Sequence, residues 1–360
     1  MPPIPHVDVR AQYAPLVPEL KAAFARTLES GRFIFGPEVE GFEREAAEHL
    51  GVAETIGVAN GTDAIVLVLD ALGIGAGDEV VCPSFTFYAT AEAIARVGAT
   101  PVFADIDPVT LNLDPTEVER RITPRTKAIM PVHLFGRPAP VEALRGFGVP
   151  IVEDAAQAFG APGIATSVAS TFSFFPTKNL FALGDGGLIA ANDAELAERI
   201  RMLRFHGSRA KKEFEYVGYN SRLDALQAAM LRIFLPHLDG WNAARRAAAA
   251  LYAELGLGEV AELPQDEPGH VYHMYCVRSF ERDRLAAALT EAGIGFASYY
   301  EPPLHLQPAL RYLGYSEGDF PETERAAREN LCLPMWGGIG EEQQAAVVGV
   351  LRRASSLVQA

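Results

Sequence analysis

The sequence predicts an α/β fold with a mostly parallel central sheet flanked by helices, followed by a smaller C-terminal α/β domain. From about residue 55, short apolar runs rich in β-branched residues alternate with turns and helix-like stretches. These runs are almost continuously apolar, which is typical of parallel strands covered on both faces. We therefore expect a large domain over 1–240, including the N-terminal segment, and a small domain over 241–360.

Strands and helices are predicted to alternate along the large domain. The stretch "TIGVANGTDAIVLVLDALGIGAGDEVVCPSF" predicts a strand, a glycine turn, a helix, a glycine loop and a second strand. "ATAEAIARVGATPVFADID" predicts a helix and a strand, and "KAIMPVHLFG" and "VPIVEDAAQAFG" predict two further buried strands that end in polar turns. In such sheets ligands bind outside the carboxyl ends of the strands, so the residues there are the informative ones.

The passage to the small domain is a long helical tract over 222–256. Pro236 should break or kink it, because proline lacks the N–H that an α-helix needs. After this tract, "HVYHMYCVRSF" predicts a strand and "RDRLAAALTEAGI" an amphipathic helix.

Composition narrows the class of protein. The 360 residues are 49% hydrophobic and 21% charged, which indicates a packed globular protein. The formal net charge of −15 disfavours nucleic acid as a partner. Cys82, Cys276 and Cys332 are odd in number and widely spaced, which argues against a disulfide framework or a zinc site.

No targeting signal is evident. The start "MPPIPHVDVR" lacks the basic and then apolar pattern of a signal peptide. No uncharged apolar run reaches about 18 residues, as a membrane span requires. We expect a soluble cytoplasmic protein.

Gly61 and Thr62 lie where a strand meets a helix, in "VANGTDAIVLVLDAL". Free N–H groups and the helix dipole make such a junction an anion site, and Thr62 adds a hydroxyl. The alternative is an ordinary helix cap formed by Thr62 or Asp63.

Glu153 and Asp154 end an apolar strand in "IVEDAAQAFG". Successive side chains alternate, so one of the two should face the crevice. This acid could cap a helix, bind a metal or pair with a ring nitrogen. Metal is the weakest of these because no His or Cys cluster accompanies it.

Lys178 is a lone lysine in an apolar segment, "STFSFFPTKNLFALGDGG", which also holds Ser173. A lysine of this kind can be a surface residue whose stem covers apolar surface. It can also be a desolvated amine that condenses with a carbonyl. An amine, an acid, a hydroxyl and a helix N-terminus at one sheet edge are what pyridoxal phosphate needs, for the imine, the ring nitrogen and the phosphate.

Aromatic residues in "CPSFTFYATAEAI" offer a face for such a ring. Phe85, Phe87 and Tyr88 should divide between the crevice and the core because side chains alternate along the chain. For any one of them, ordinary core packing is the alternative.

An ordered set of motifs resembles the DegT/DnrJ/EryC1/StrS sugar aminotransferases, which are pyridoxal-phosphate enzymes of fold type I. The resemblance covers nearly the whole chain, in the motifs "GRFIFGPEVEGFE", "NGTDA", "PSFTFYATAEAI", "PVFADIDPVTLNLDP", "PVHLFGRPA", "EDAAQAFGA", "FSFFPTKNL", "GYNSRLDALQAA" and "YYEPPLHLQPAL". One departure is Glu301, where the family commonly has proline.

The resemblance implies a role for each matching residue. Lys178 carries the imine, Asp154 partners the ring nitrogen, Gln157 contacts the phenolic oxygen and Phe87 stacks on the ring. The remaining matched positions contact the phosphate: Gly61, Thr62, Ser173 and Asn220. The family is an obligate homodimer, in which Asn220 reaches the phosphate of the neighbouring subunit.

The implied reaction belongs to amino-sugar biosynthesis. It transfers the amino group of glutamate to a nucleotide-linked keto sugar, a dTDP- or UDP-hexose, through pyridoxamine phosphate. Arg209, Lys211 and Lys212 are candidates for the sugar diphosphate, although such a charge run can also be a solvated loop. We also expect His305 to bind substrate.

Gln157 in "EDAAQ" favours amination at C3, since relatives acting on 4-keto sugars tend to carry His or Glu there. A 4-keto sugar or an amino-cyclitol is the alternative acceptor. Three other functions compete with this one: a dehydratase, a non-catalytic ligand-sensing regulator of the same fold, and a scaffold protein. A dehydratase of the family would have histidine at the position that Lys178 occupies here.

Overall fold

The computed structural model describes residues 3–356. Its helices are α1 Val9–Tyr13, α2 Val17–Ser30, α3 Pro37–Leu50, α4 Gly61–Ala71, α5 Ala89–Arg96, α6 Pro115–Arg121, α7 Val141–Arg145, α8 Ala194–Leu203, α9 Ala225–Phe234, α10 Leu238–Glu254, α11 Arg282–Glu291, α12 Pro321–Glu329 and α13 Glu341–Ser356. Its strands are β1 Glu54–Val58, β2 Glu79–Pro83, β3 Thr100–Ala104, β4 Thr126–Ile129, β5 Val152–Asp154, β6 Ala169–Ser173, β7 Gly187–Ala191, β8 Tyr275–Arg278 and β9 Asn330–Leu333.

Seven strands form the central sheet. Strands β3-β2-β4 and β1-β7-β6-β5 are the hydrogen-bonded groups, and parallel bridges from Ile129 to Ile151 and from Val132 to Asp154 join them. Only β7 runs antiparallel to its neighbours β1 and β6. The predicted mostly parallel α/β sheet is therefore confirmed, and the carboxyl ends of β1, β5 and β6 meet at one edge.

Helices cover the sheet on both sides with their apolar faces. Helix α4 is almost wholly buried, because its sequence "AIVLVL" is apolar around the whole helix rather than along one stripe. The predicted break at Pro236 is confirmed, since α9 ends at Phe234 and a short 3-10 turn over Leu235–His237 separates it from α10.

The C-terminal part has its own core around the antiparallel pair β8 and β9. The predicted strand and helix are found as β8 and α11. Ile4, at the N-terminal end, packs into this same core and bridges to Ile294. The division at residue 240 stays a prediction.

Two smaller features complete the fold. The three cysteines are free and buried. No helix within residues 3–356 is both long enough and apolar enough to cross a membrane.

Candidate active site

A cavity of about 350 Å³ lies at the carboxyl ends of β1, β5 and β6. Most of the residues that the sequence predicts for the site line it: Gly61, Thr62, Phe87, Asp154, Gln157, Ser173 and Lys178. Its size is that of a small-ligand or cofactor pocket. The predicted convergence of strand ends is therefore observed for these residues.

Asp154 ends β5 and is buried at the cavity wall. Its Oδ2 accepts a hydrogen bond of 2.8 Å from the Thr90 hydroxyl, and its Oδ1 accepts one of 3.2 Å from the backbone N–H of Ala156. Burial raises the pKa of the Asp154 carboxyl, while these two hydrogen bonds and the nearby Lys178 charge act in the opposite direction.

Lys178 lies in the turn after β6, where its backbone N–H donates to the Phe175 carbonyl over 2.8 Å. Its side chain lines the cavity instead of lying along the outer surface. Burial lowers the pKa of the Lys178 ammonium to about 8, although the Asp154 carboxylate acts to raise it. A substantial neutral fraction of this amine is therefore available near pH 8, as a nucleophile requires.

The start of α4 forms the third wall. Asn60, rather than Thr62 or Asp63, caps this helix, because its Oδ1 accepts the N–H of Asp63 over 2.8 Å. The cap that the sequence offered as an alternative is therefore wrong, and Thr62 lines the cavity. A Cβ on Gly61 would lie 2.8 Å from the Cβ of Ser173, so glycine lets the helix N-terminus and the end of β6 approach each other.

Gln157 is held in one orientation at the cavity wall. Its Oε1 accepts the backbone N–H of Phe135 over 2.7 Å, and its Nε2 donates to the Tyr300 hydroxyl over 3.1 Å. The Nε2 side of the amide therefore faces Tyr300, which also lines the cavity.

The aromatic residues of "CPSFTFYATAEAI" divide between the cavity and the core, but not by the predicted alternation, which would put Phe85 and Phe87 on one face. Phe87 lines the cavity and is 59% exposed. Phe85 is fully buried and packs edge-on against Phe135 and Tyr300. Phe87 is therefore the ring with a free face on the cavity side.

Comparison with known proteins identifies the family. A model of the DegT/DnrJ/EryC1/StrS aminotransferase family matches residues 16–352. The chain belongs to this family. The family resemblance predicted from the sequence motifs is thus confirmed.

Three similar proteins place this aminotransferase within the family. A "pleiotropic regulatory protein" of Geobacillus stearothermophilus is 48% identical, with 96% of each chain covered. The dTDP-3-amino-3,4,6-trideoxy-alpha-D-glucose transaminase of Streptomyces venezuelae is 45% identical over 98% of this chain and 96% of its own. The crystal structure of S. venezuelae DesV, in complex with a ketimine intermediate, matches with a TM-score of 0.95, 44% identity and 99% coverage of each chain.

Glu153 turns away from the cavity of this aminotransferase. Its carboxylate is fully buried and accepts the backbone N–H groups of Ala165, Thr166 and Ser167. It also bonds His133 Nε2 over 2.8 Å. Of the two adjacent acids, only Asp154 is therefore at the site. Within residues 3–356, no group of three or more His, Cys, Asp or Glu side chains is arranged to hold a metal ion.

His305 does not lie at the cavity. Its ring is buried, with Nδ1 2.7 Å from the Ser84 hydroxyl and Nε2 3.1 Å from Glu324 Oε1. Both ring nitrogens therefore have partners within the protein. The ring also packs edge-on against Phe320 inside the fold. The structure does not support the expected role of His305 in substrate binding.

Four further predicted residues lie on an exposed segment, outside the cavity of their own chain. Arg209 pairs with Glu198 over 3.0 Å, Lys211 Nζ lies 5.0 Å from the centroid of the Phe205 ring, and Lys212 is exposed. Asn220 is also exposed, and its Oδ1 accepts from Arg222. None of the four lines the cavity of its own chain.

The structure also adds cavity residues that the motifs did not single out: Thr86, Asp185, His273, Tyr299 and Tyr300. Tyr299 and Tyr300 lie in the matched stretch "YYEPPLH", so this motif could have indicated that they line the site. His273 belongs to a predicted strand, where nothing distinguished it from core residues. Thr90, behind Asp154, comes four residues after Thr86 in the matched stretch "PSFTFYATAEAI".

Proposed function

We propose that this chain is a pyridoxal-phosphate-dependent aminotransferase that moves an amino group from glutamate to C3 of a dTDP- or UDP-linked keto hexose. The observation that carries the proposal is that Lys178 and Asp154 line one cavity together with the N-terminus of α4. An amine, an acid and an anion site on three sides of one cavity match the three polar parts of this cofactor.

Three features support the fit of the cofactor. Asp154 is a buried carboxylate, and among residues 3–356 no basic side chain donates a hydrogen bond to it, which leaves it available to a protonated ring nitrogen. Gly61 leaves the α4 N-terminus bare of a Cβ beside Ser173, where a phosphate would bind. Phe87 presents a free ring face on the cavity side.

When bound, pyridoxal phosphate supplies a ring that withdraws electrons from the carbon atom losing its proton. Lys178 holds the cofactor and, when its amine is free, accepts and returns that proton at Nζ. A pKa near 8 suits this exchange at neutral pH. We assign Asp154 to keep a positive charge on the ring nitrogen, and the N–H of Gln157 Nε2 that does not bond Tyr300 to donate to the phenolic oxygen.

The proposed acceptor is supported by the S. venezuelae relative, which is named for a dTDP-linked 3-amino sugar. Gln157 in "EDAAQ" favours the same position on the sugar. The sugar diphosphate is anionic, and we assign Arg209, Lys211 and Lys212 of a second subunit to it. A 4-keto sugar and an amino-cyclitol ketone remain the alternative acceptors.

A homodimer accounts for apolar side chains that a monomer exposes to water. Phe24 and Leu28 on α2, and Phe33 and Ile34 after it, are 40–57% exposed. The segment after α8 is exposed over 209–217, and its two ends pack closely, since a Cβ on Gly207 would lie 1.9 Å from the Tyr216 carbonyl oxygen. We propose that a second subunit covers this apolar surface and receives Asn220 at its phosphate site.

The cofactor is tested on the purified protein. We expect an imine absorption band that borohydride abolishes, and no such band in Lys178→Ala. The Lys178→Ala variant must still fold, which circular dichroism checks. A native protein that shows no band after incubation with pyridoxal phosphate contradicts the proposal.

The reaction is tested with ¹⁵N-glutamate and a panel of acceptors. We expect label transfer to a 3-keto-6-deoxyhexose nucleotide, faster than to the 4-keto isomer or an amino-cyclitol ketone. Faster turnover of the 4-keto sugar contradicts C3 amination. Label transfer to none of them, by a protein that binds the cofactor, would favour the non-catalytic ligand-sensing regulator; the Geobacillus relative is named a pleiotropic regulatory protein.

A further inference from the structure

The hydroxyl of Thr90 makes the shortest hydrogen bond to Asp154. Thr90 Oγ1 lies 2.8 Å from Asp154 Oδ2, while the Ala156 N–H lies 3.2 Å from Oδ1. Thr90 is fully buried at the start of α5, and Asp154 is 5% exposed. Within residues 3–356, Thr90 is the only side chain that donates a hydrogen bond to this carboxylate.

We propose that Thr90 is a positioning residue that holds the Asp154 carboxylate ionised and aimed at the cofactor ring. This inference rests on the proposed function, because it assigns a task to Asp154 that only a bound pyridine ring would use. It concerns a residue that does not line the cavity and acts through another side chain.

The direction of the hydrogen bond follows from the chemistry of the two groups. An ionised carboxylate only accepts hydrogen bonds, so the Thr90 proton points to Asp154. The Thr90 oxygen is then free to accept, and the Thr86 hydroxyl lies 3.4 Å from it. Thr86 therefore donates towards Thr90, and Thr90 donates to Asp154.

The electrostatic need for this donor comes from burial. Removing a carboxylate from water favours its neutral form, and this effect dominates at Asp154. Thr90 gives the largest of the effects that favour the ionised form, ahead of the Ala156 N–H and the side chains of Lys178 and His133. Those two are the basic groups that face Asp154, from the turn after β6 and from the segment after β4.

The bond also fixes the orientation of the carboxylate. With Oδ2 on Thr90 and Oδ1 on the Ala156 N–H, rotation of the carboxyl group would break one contact or both. The lone pairs of the Asp154 oxygens that these two bonds do not use therefore point in a defined direction. A carboxylate held in this way binds a ring N–H better than a mobile one.

The test compares two cofactors in the apo protein. Pyridoxal phosphate has the ring nitrogen that Asp154 would meet, whereas 1-deazapyridoxal phosphate has carbon there and still reacts with Lys178. Dissociation constants of both are measured by absorbance for the native protein, Thr90→Val and Thr90→Ser. Thr90→Val keeps the shape and removes the donor, and Thr90→Ser keeps the donor.

We expect Thr90→Val to weaken pyridoxal phosphate binding by about ten-fold, because a hydrogen bond to a charged group is lost. Binding of the deaza cofactor should change by less than about two-fold, and Thr90→Ser should restore most of the loss. Thr27→Val is the matched control: Thr27 is also a buried threonine, but its hydroxyl bonds the Ala23 carbonyl inside α2. It should bind both cofactors as the native protein does.

Equal loss of both cofactors in Thr90→Val would mean that Thr90 only supports the local structure, and this overturns the inference. No loss of either cofactor overturns it as well. If the native protein binds neither cofactor, the proposed function itself fails. Thermal unfolding of each apo variant confirms that the compared proteins are folded.

Discussion

Glu153 and Asp154 are adjacent in the chain, yet their carboxylates have opposite surroundings. Glu153 accepts three backbone N–H groups and bonds His133, whereas Asp154 accepts one backbone N–H and one hydroxyl at the cavity. The Ala139 N–H donates to His133 Nδ1, so the proton on this ring is at Nε2 and points to Glu153. One acid therefore stabilises the fold and the other serves the site.

The first prediction separates these two acids. Burial alone would raise the pKa of Glu153, but hydrogen bonds from His133, Ser167 and Ala165 lower it to about 2. Glu153→Gln should reduce the free energy of unfolding at pH 7 by about 3 kcal/mol, because the amide nitrogen of glutamine would face N–H donors where a buried carboxylate oxygen now accepts them. Asp154→Asn should leave the apo protein at least as stable as the native one, because burial already disfavours the Asp154 charge, and should lower transaminase activity by about 100-fold.

Denaturant unfolding and single-turnover assays measure both effects. The Glu153 pKa lies lower in the folded state than its usual value of 4.5, so its contribution is complete above about pH 4.5 and is lost as the pH falls towards 2. The stability difference between native protein and Glu153→Gln should shrink over that range. A difference that is constant between pH 6 and pH 3 contradicts this account.

The second prediction concerns the pH dependence of cofactor attachment. Only the neutral Lys178 amine attacks the aldehyde, and its pKa is lowered to about 8. Stopped-flow mixing of apo protein with pyridoxal phosphate should therefore give a rate that rises with pH and levels off above about pH 8. A rate that still rises steeply at pH 9.5, as for an ordinary lysine, would contradict it.

The third prediction tests the close approach of the α4 N-terminus to β6. Gly61→Ala places a Cβ 2.8 Å from Ser173 Cβ, so Ser173 or the helix must shift. We expect a loss of at least ten-fold in affinity for pyridoxal phosphate, measured by titration of the apo protein. Gly240→Ala is the control, because this glycine lies in α10 and an added Cβ would have no atom within 4 Å. Alanine there should raise the free energy of unfolding by about 0.5–1 kcal/mol and leave the affinity for pyridoxal phosphate unchanged.

The fourth prediction tests whether Asn220 acts in the second subunit. Asn220→Ala and Lys178→Ala should each be nearly inactive, and Asn220→Ala should retain its fold and lose cofactor more readily. Heterodimers of the two variants should recover part of the activity, because one of their two sites has both native residues. Verified heterodimers without recovery would place Asn220 in the site of its own subunit, or in neither.

The sequence predicted the sheet well because parallel strands leave a strong local signal. Apolar runs such as "VVCP" and "IVED" became β2 and β5. Asp154 at the end of β5 and Lys178 in the turn after β6 both line one cavity. The antiparallel strand β7 was not predicted, since "GLIAA" has no pattern that gives its direction. Direction depends on pairing with β6 and with β1, which is remote in the chain.

The sequence by itself determined the family, the alternation of strands and helices that gives the fold class, and the chemical types at the strand ends, because each of these depends on residues close together in the chain. Only the tertiary structure decided that Asp154 rather than Glu153 faces the cavity, that Asn60 caps α4, and that the His305 ring is enclosed. It also brought Thr90 to Asp154 and Tyr300 to Gln157, contacts between residues 64 and 143 positions apart. A side chain's partner and burial depend on which distant segments pack around it, and no local pattern specifies those.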